Sequence, residues 1–149
     1  MIRNIVEPGS SAYIGADLVE APDCRQMNIE QIDLADDAVD FLICSHVLEH
    51  VDDKKAMAEL HRVLRPGGIA LVMVPLVDAW QKTYENPNVI TPRDRFLHFC
   101  QDDHIRYYGS DITDRLQDAG FSVDTFVAEE PDVLEYGLMR GETLFVCKS

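Results

Sequence analysis

The sequence lacks several features that would mark other classes of protein. No apolar run approaches the roughly 20 residues needed to cross a membrane, and residues 1–8 lack the long apolar stretch of a signal peptide. Basic residues are scarce, since 13 Lys and Arg stand against 27 Asp and Glu, which gives a net charge of −14. An acidic surface repels phosphate backbones and anionic lipid headgroups, so we expect no nucleic-acid or membrane partner. We therefore expect a soluble, cytoplasmic protein.

The four cysteines are widely spaced and form no Cys-x-x-Cys pair, which argues against a zinc ribbon. Cys44 and Cys147 lie in apolar, strand-like runs, where a free thiol behaves as a small core residue. A reducing cytoplasm is the simpler interpretation. At 149 residues, with 46% hydrophobic and 27% charged residues, the chain is predicted to form one folded domain, residues 1–149.

Three short apolar runs, at residues 13–18, 39–44 and 69–74, predict buried strands. A helix is expected between the second and third runs, because apolar residues recur there at helical spacing: Ala56, Leu60, Val63 and Leu64. Asp52 or Asp53 is the expected N-cap, and the Arg-Pro-Gly-Gly segment at 65–68 should end the helix. Strand, helix and strand form a βαβ unit, so the predicted fold class is α/β.

The second half of the chain begins with an aromatic segment, residues 76–110, that shows little periodicity. A long aromatic loop in a compact domain is usually a lid or a binding loop. A helix is predicted after Ser110 or Asp111 and should end at Gly120. Two further strands are expected, at residues 121–127 and 143–147.

Asp17 ends the first apolar run, and open α/β sheets bind ligands at the carboxyl ends of their strands. The second run leads directly into Ser45-His46-Val47-Leu48-Glu49-His50, and Leu64-Arg65-Pro66-Gly67-Gly68 precedes the third. This pattern resembles the class I S-adenosylmethionine-dependent methyltransferases, in particular the type 11-like group and a bacterial subgroup of it. The resemblance spans residues 13–75, and segments between 83 and 121 extend it nearly to the C-terminus.

The resemblance implies a Rossmann-like sheet with helices on both faces and S-adenosylmethionine as the cofactor. In that family the acid that ends the second strand binds the cofactor ribose, which corresponds to Asp17, and Leu18 would flank the adenine. Asn28 stands where an acidic residue usually meets the adenine amino group, and Ile29 follows it. An Asn carbonyl oxygen can still accept that hydrogen bond.

The same resemblance implies that Ser45 and His46 border the methionine moiety and the methyl acceptor. Some acceptors need a base, and His46, His98 and His104 are the candidates, because an imidazole titrates near neutral pH. The expected function is therefore methyl transfer to a small-molecule or protein acceptor. The acceptor and its reacting atom are not identified by the sequence.

The sequence departs from the family pattern before Tyr13, where a first strand and a Gly-x-Gly-x-Gly loop are expected. Only six residues separate a possible strand at 2–6 from Tyr13, fewer than a parallel crossover needs. The fold is thus expected to be N-terminally truncated or reduced. Residues 2–6 could pair antiparallel, a second chain could complete the sheet, or the protein could be longer. Of these, we favour a second chain that completes the sheet in a homodimer. The alternative function is a non-catalytic, methyltransferase-like interaction module that binds no cofactor.

A competing motif is His46-x-x-Glu49-His50, which matches the inverted zincin pattern of a zinc hydrolase. That pattern requires an extended helix and a distal acidic ligand, whereas here it directly follows a predicted strand. We therefore treat the zinc hydrolase as a remote alternative, and we expect no metal site.

Overall fold

The computed structural model describes residues 13–19, 22 and 24–149. These residues form eight strands and four helices, and a single 3₁₀ turn at Leu48–His50 precedes the first helix. The strands are β1 (Ala16–Asp17), β2 (Arg25–Gln26), β3 (Val39–Ser45), β4 (Leu64–Met73), β5 (Tyr84–Glu85), β6 (Arg106–Tyr107), β7 (Ser122–Val127) and β8 (Thr143–Lys148). The helices are α1 (Asp53–Val63), α2 (Pro92–Phe99), α3 (Ile112–Asp118) and α4 (Asp132–Tyr136).

The main sheet has four strands in the order β3-β4-β8-β7. β3 and β4 are parallel and joined by α1, which confirms the predicted βαβ unit. β8 pairs antiparallel with both β4 and β7. Two smaller ladders stand apart from it: β1 and β2 pair in parallel, and β5 and β6 pair antiparallel. The fold class predicted from the sequence is therefore correct.

Helix α1 begins where its cap was expected, since the Asp52 side chain accepts a hydrogen bond from the Lys55 amide at 3.4 Å. The helix ends at Val63, and the chain passes straight into β4. Residues 65–68, predicted to be a turn after the helix, lie inside this strand instead. The reason is that Leu64 already pairs with Val39 of β3, so the extended backbone begins before the glycines.

Helices α1 and α3 pack on one face of the main sheet and form one hydrophobic core with it. Cys44, Val72 and Phe145 are in register on β3, β4 and β8, and all three are buried. The helices cover them with the following buried residues: Ala56, Met57, Leu60, Val63, Ile112 and Leu116. The apolar stripe predicted for α1 is thus buried as expected.

The opposite face of the sheet is open in the part of the chain that the structure describes. Phe41 and Ile43 of β3 are 51% and 42% exposed. Ile69 and Leu71 lie opposite them on β4 and are only partly buried. Because α1 and α3 both pack on the other face, no described helix shields these side chains.

The segment at residues 13–18 differs from its prediction as a buried strand. Only Ala16–Asp17 is a strand, and Tyr13 and Leu18 are 69% and 63% exposed. The segment pairs with β2 alone among the described residues, so its apolar side chains lack the packing that burial requires. The possible strand at residues 2–6 lies outside the described residues.

Residues 76–110 are more regular than the predicted aromatic loop, because they contain β5, α2 and β6. Phe99 and Tyr108 are completely buried, so part of the aromatic content belongs to the interior. Thr91 caps α2 by accepting a hydrogen bond from the Asp94 amide at 3.1 Å. Within the described residues, no helix has the length and apolar character needed to span a membrane.

Candidate functional site

The carboxyl ends of β3 and β4 lie side by side, at the edge where open α/β sheets bind ligands. The His46 amide, directly after β3, donates a hydrogen bond to the Met73 carbonyl oxygen at 2.9 Å. His46 has a φ of 53°, a left-handed conformation that is uncommon for residues other than glycine. Its side chain is 47% exposed, so the imidazole stands at the surface of this edge.

The His46 imidazole lies between two carboxylates. Its Nδ1 is 3.5 Å from Oε1 of Glu49, and its Nε2 is 3.4 Å from Oε1 of Glu142. Glu142 immediately precedes β8, so the antiparallel strand brings it to the carboxyl end of β3. The pair of carboxylates orients the ring.

The 3₁₀ turn places the Glu49 side chain in the protein interior. The side chain is 1% exposed, and neither carboxylate oxygen has a hydrogen-bond partner within the described residues. Burial raises the pKa of the Glu49 carboxyl above its ordinary value, whereas the charges of His50 and His46 oppose that increase. A buried carboxylate without hydrogen bonds is costly, and such groups usually bind a cation or a ligand.

His50 and His104 complete the surroundings of Glu49. Nε2 of His50 is 3.9 Å from Oε1 of Glu49, and Nδ1 of His50 is 3.3 Å from Oδ2 of Asp103. The ring of His104 meets that of His50 edge-on, with 4.6 Å between the ring centroids. Burial lowers the pKa of His104, and the neighbouring charge of His50 acts in the same direction, so the neutral ring is favoured.

Backbone contacts hold the two segments of this cluster together. The Ile105 amide donates a hydrogen bond to the Glu49 carbonyl oxygen at 2.9 Å. The Arg106 guanidinium donates to the carbonyl oxygens of Leu48 and Val51, both at 2.6 Å. The segment that carries His104 is therefore fixed onto the 3₁₀ turn.

The residues predicted to bind adenosine lie together at the end of the β1–β2 pair. The Met27 amide donates to the Asp17 carbonyl oxygen at 2.8 Å, so Asp17 and Asn28 sit at the same end of the two strands. One oxygen of the exposed Asp17 carboxylate accepts from the Val19 amide at 3.0 Å. Leu18 is exposed beside Asp17, and Ile29 is partly buried beside Asn28.

Asn28 is already engaged within its own loop. Its side-chain oxygen accepts a hydrogen bond from the Glu30 amide at 2.9 Å. A carbonyl oxygen has two lone pairs, so one acceptor position is left for a ligand.

His98 lies apart from the other two candidate bases. It is exposed on α2, and its Nδ1 is 2.6 Å from the Tyr84 hydroxyl oxygen. The structure thus brings His46 and His104 close to Glu49 and His50, which we call the Glu49 cluster. His98 lies instead among the aromatic residues of the 76–110 segment.

The helix that the zinc hydrolase hypothesis requires is not formed. Inverted zincins hold both histidines one turn apart on an extended helix. Here the only helical residues of the motif are the three of the 3₁₀ turn, and His46 precedes that turn in a left-handed conformation.

The sequence does not predict three neighbours of the candidate site: Asp103, Arg106 and Glu142. Asp103 precedes His104 in the chain, so the sequence alone could have predicted that it lies near this candidate base. Arg106 and Glu142 reach the site only through tertiary packing, and no local pattern marks them.

A family model described as a methyltransferase domain matches residues 6–72. The ubiquinone/menaquinone biosynthesis C-methyltransferase of Klebsiella pneumoniae is 32% identical over 138 residues, which cover 83% of this chain and 51% of that enzyme. The chain belongs to the class I S-adenosylmethionine-dependent methyltransferase family.

Solved structures show the same fold for this family member. An S-adenosylmethionine-dependent methyltransferase from Mesorhizobium loti superposes with a TM-score of 0.60 at 16% identity, covering 91% of this chain and 79% of the other. The 1,6-didemethyltoxoflavin-N1-methyltransferase of Burkholderia thailandensis, solved with S-adenosylhomocysteine, has a TM-score of 0.58 at 18% identity, covering 89% and 57%. The chain spans about half or less of the length of the curated relatives it matches.

Proposed function

We propose that the protein binds S-adenosylmethionine and transfers its methyl group to an acceptor at the carboxyl ends of the parallel strands. The observation that carries the proposal is the placement of Asp17 and Asn28 at one end of a parallel strand pair. A related fold from Burkholderia thailandensis was solved with S-adenosylhomocysteine, which supports the choice of cofactor.

The residues present fit the adenosine half of the cofactor. Only one hydrogen bond to the Asp17 carboxylate is formed within the described residues, so the second oxygen can accept from a ribose hydroxyl. The exposed Leu18 and the partly buried Ile29 offer apolar surface for the adenine. For the methionine half, the sequence holds no Gly-x-Gly-x-Gly loop before Tyr13.

When bound, S-adenosylmethionine supplies an electrophilic methyl group on a sulfonium. The protein's task is then to align the acceptor with that carbon and to exclude water. Ser45 and His46 stand at the carboxyl end of β3 and would border the acceptor.

His46 is the best placed of the three candidate bases. It is half-exposed, and the contact of its Nδ1 with Glu49 orients the ring. Its Nε2 can accept a proton from an oxygen or nitrogen nucleophile that takes the place of the Glu142 carboxylate, 3.4 Å away. His104 is too deeply buried to meet an acceptor directly. His98 would need the 76–110 segment to act as a lid.

Calorimetric titration with S-adenosylhomocysteine tests the cofactor site without knowledge of the acceptor. We expect binding that Asp17→Ala weakens about tenfold or more, since hydrogen bonds to charged groups contribute about 1.5–3 kcal/mol. Asp118→Ala removes an exposed carboxylate at the end of α3 and serves as the matched control. Absence of binding to the unaltered chain at millimolar ligand would overturn the proposal.

The second candidate function, a cofactor-free interaction module, is favoured by the open face of the sheet with Phe41 and Ile43. The occupant would be a second copy of this chain, because β3 is an edge strand of the described sheet and two identical edges can pair about a twofold axis. Light scattering measures the mass of the protein in solution. A mass twice the chain mass of 16.9 kDa, together with no binding of S-adenosylhomocysteine in the calorimeter, supports the interaction module. A monomer that binds S-adenosylhomocysteine excludes it.

We also propose that the protein works in the reducing cytoplasm. Cys24, Cys44, Cys100 and Cys147 are all free thiols, which suits that compartment. Fractionation of cells that produce the protein tests this, and recovery outside the cytoplasm would contradict it.

A further inference from the structure

The geometry points to a divalent metal site formed by Glu49, His50 and His104. One ligand atom from each residue lies within 4.8 Å of the other two. The ion would be of the class that imidazole nitrogen and carboxylate oxygen both suit, such as Zn²⁺ or Co²⁺. This site goes beyond the proposed methyl transfer and does not depend on it.

Glu49 provides the first reason. Its carboxylate is buried, with 1% of the side chain exposed, and both of its oxygens are without hydrogen-bond partners in the described residues. Buried polar groups are almost always satisfied, and a buried charge is usually paired or bound to a metal. A metal ion would coordinate this carboxylate, to which no described group donates a hydrogen bond.

His104 provides an independent reason from a distant part of the chain. Only 3% of the residue is exposed, and within the described part of the chain its Nδ1 has no hydrogen-bond partner. A buried imidazole normally uses its ring nitrogens as donor or acceptor. One ring nitrogen of His104 lies within 4.8 Å of the ligand atoms of Glu49 and His50 and is available as a ligand.

The contacts of His50 match the way metal-binding histidines are oriented. Its Nδ1 lies 3.3 Å from Oδ2 of Asp103, while its Nε2 faces Oε1 of Glu49 at 3.9 Å. Metal-binding histidines commonly donate their second ring nitrogen to a carboxylate, which fixes the tautomer. Asp103 would serve that purpose here.

The ligands are held in place before any ion arrives. The hydrogen bonds from Ile105 to the Glu49 carbonyl oxygen and from Arg106 to the Leu48 and Val51 carbonyl oxygens tie the two ligand-bearing segments together. A rigid arrangement lowers the conformational cost of binding. Three protein ligands leave a tetrahedral ion one open position.

His46 borders the same carboxylate, with its Nδ1 3.5 Å from Oε1 of Glu49. It is half-exposed and also contacts Glu142, so we assign it to orienting Glu49 rather than to the three-residue ligand set. The sequence predicts no metal site, because the His46-x-x-Glu49-His50 motif directly follows a predicted strand and does not lie on an extended helix. The ligand that completes the site, His104, is 54 positions beyond His50 in the chain.

The test uses the purified full chain, stripped with a chelator and titrated with Co²⁺. The visible spectrum reports the coordination of this ion, and Zn²⁺ is then added to displace it. We expect one equivalent of Co²⁺ to bind per chain. Loss of a residue that only supports a metal ligand costs about 10- to 100-fold in affinity, so loss of the ligand itself in His50→Gln should weaken binding more than about tenfold. His104→Gln should have the same effect, whereas His98→Gln, at an exposed histidine away from the cluster, should leave binding unchanged.

Two readouts keep this test decisive. Circular dichroism establishes that each variant is folded, and His50 is the safer substitution because its side chain is 29% exposed. Zn²⁺ should raise the melting temperature of the unaltered chain but not that of His50→Gln. Absence of stoichiometric binding, or equal binding by all three variants, would overturn the site. Calorimetry with S-adenosylhomocysteine is measured separately, so failure of one proposal is distinguishable from failure of the other.

Discussion

The guanidinium of Arg106 donates a hydrogen bond to the Leu48 carbonyl oxygen at 2.6 Å, across 58 positions in the chain. The same side chain lies 3.1 Å from Glu85 and 3.8 Å from Asp53, and it is 7% exposed. Arg106 therefore joins the 3₁₀ turn, the start of α1 and the β5–β6 ladder. Together with the Ile105 amide, this buried cation holds the segment of Glu49 and His50 in place.

Replacement of Arg106 by methionine is expected to destabilise the fold by about 3–5 kcal/mol, because Asp53 loses one of its cations and the Val51 carbonyl oxygen loses its guanidinium donor. The Leu48 carbonyl oxygen keeps only the Tyr108 hydroxyl as a side-chain donor. Urea unfolding measures the loss. Arg93→Met, at an exposed position of α2, is the matched control and should change stability by less than about 0.5 kcal/mol. A loss below about 1 kcal/mol for Arg106→Met would contradict the bridging role.

The cysteines should divide into two classes of reactivity. Burial raises the pKa of both Cys44 and Cys147 to about 12, with the charge of Glu49 adding to the effect at Cys44. Only thiolates react readily, so these two should be inert in the folded protein at pH 8. Exposed Cys100 and partly exposed Cys24 should react. A colorimetric thiol assay should detect two groups in buffer and four in denaturant, and rapid reaction of all four in buffer would refute this.

Stability should fall in acid partly through Glu59. Its hydrogen bond from Arg62 lowers its pKa, and a further bond from the Ile32 amide at 2.7 Å acts in the same direction. Because the folded-state pKa of Glu59 is below the ordinary value of 4.5, the stabilisation is complete above that pH and is lost as pH falls through the lowered pKa. The free energy of unfolding, measured from pH 7 to pH 3, should decline less steeply for Glu59→Gln. Glu135→Gln, at an exposed position of α4, should retain the steep decline.

Gly68 should tolerate no side chain. A Cβ at this position would lie 2.9 Å from the Arg65 carbonyl oxygen and 3.2 Å from that of Asp40. Both are backbone atoms that cannot rotate away, so Gly68→Ala should cost about 1–3 kcal/mol. Gly141→Ala is the comparison, since nothing lies near its Cβ and only its φ of 79° opposes alanine. Thermal unfolding of the two variants compares the cost of a steric clash with the cost of a left-handed backbone. A larger loss of stability in Gly141→Ala than in Gly68→Ala would contradict the steric interpretation of Gly68.

The sequence predicts β3, α1 and β4 well because their signals are local. Ala56 and Leu60 repeat at helical spacing and are buried, and Asp52 caps the helix as expected. Helix α2 escaped prediction because its apolar residues do not form a buried stripe: Phe96 and Leu97 are exposed.

The exposure of residues 13–18 and the position of His104 could not be predicted for a related reason. Whether an apolar run is buried depends on what packs against it, and that partner is remote in the chain. The Glu49-His50 pair is visible in the sequence, but its approach to His104 depends on a backbone hydrogen bond from Ile105.

The open face of the main sheet also governs how the protein behaves in concentrated solution. Exposed side chains such as Phe41 attract one another, and the charge of −14 keeps neighbouring molecules apart. Salt screens this repulsion, since the Debye length falls from about 10 Å at 0.1 M to about 3 Å at 1 M. Ionic strength should therefore set the colloidal stability of the protein, with concentrated stocks remaining clear at low salt and scattering light as salt is raised.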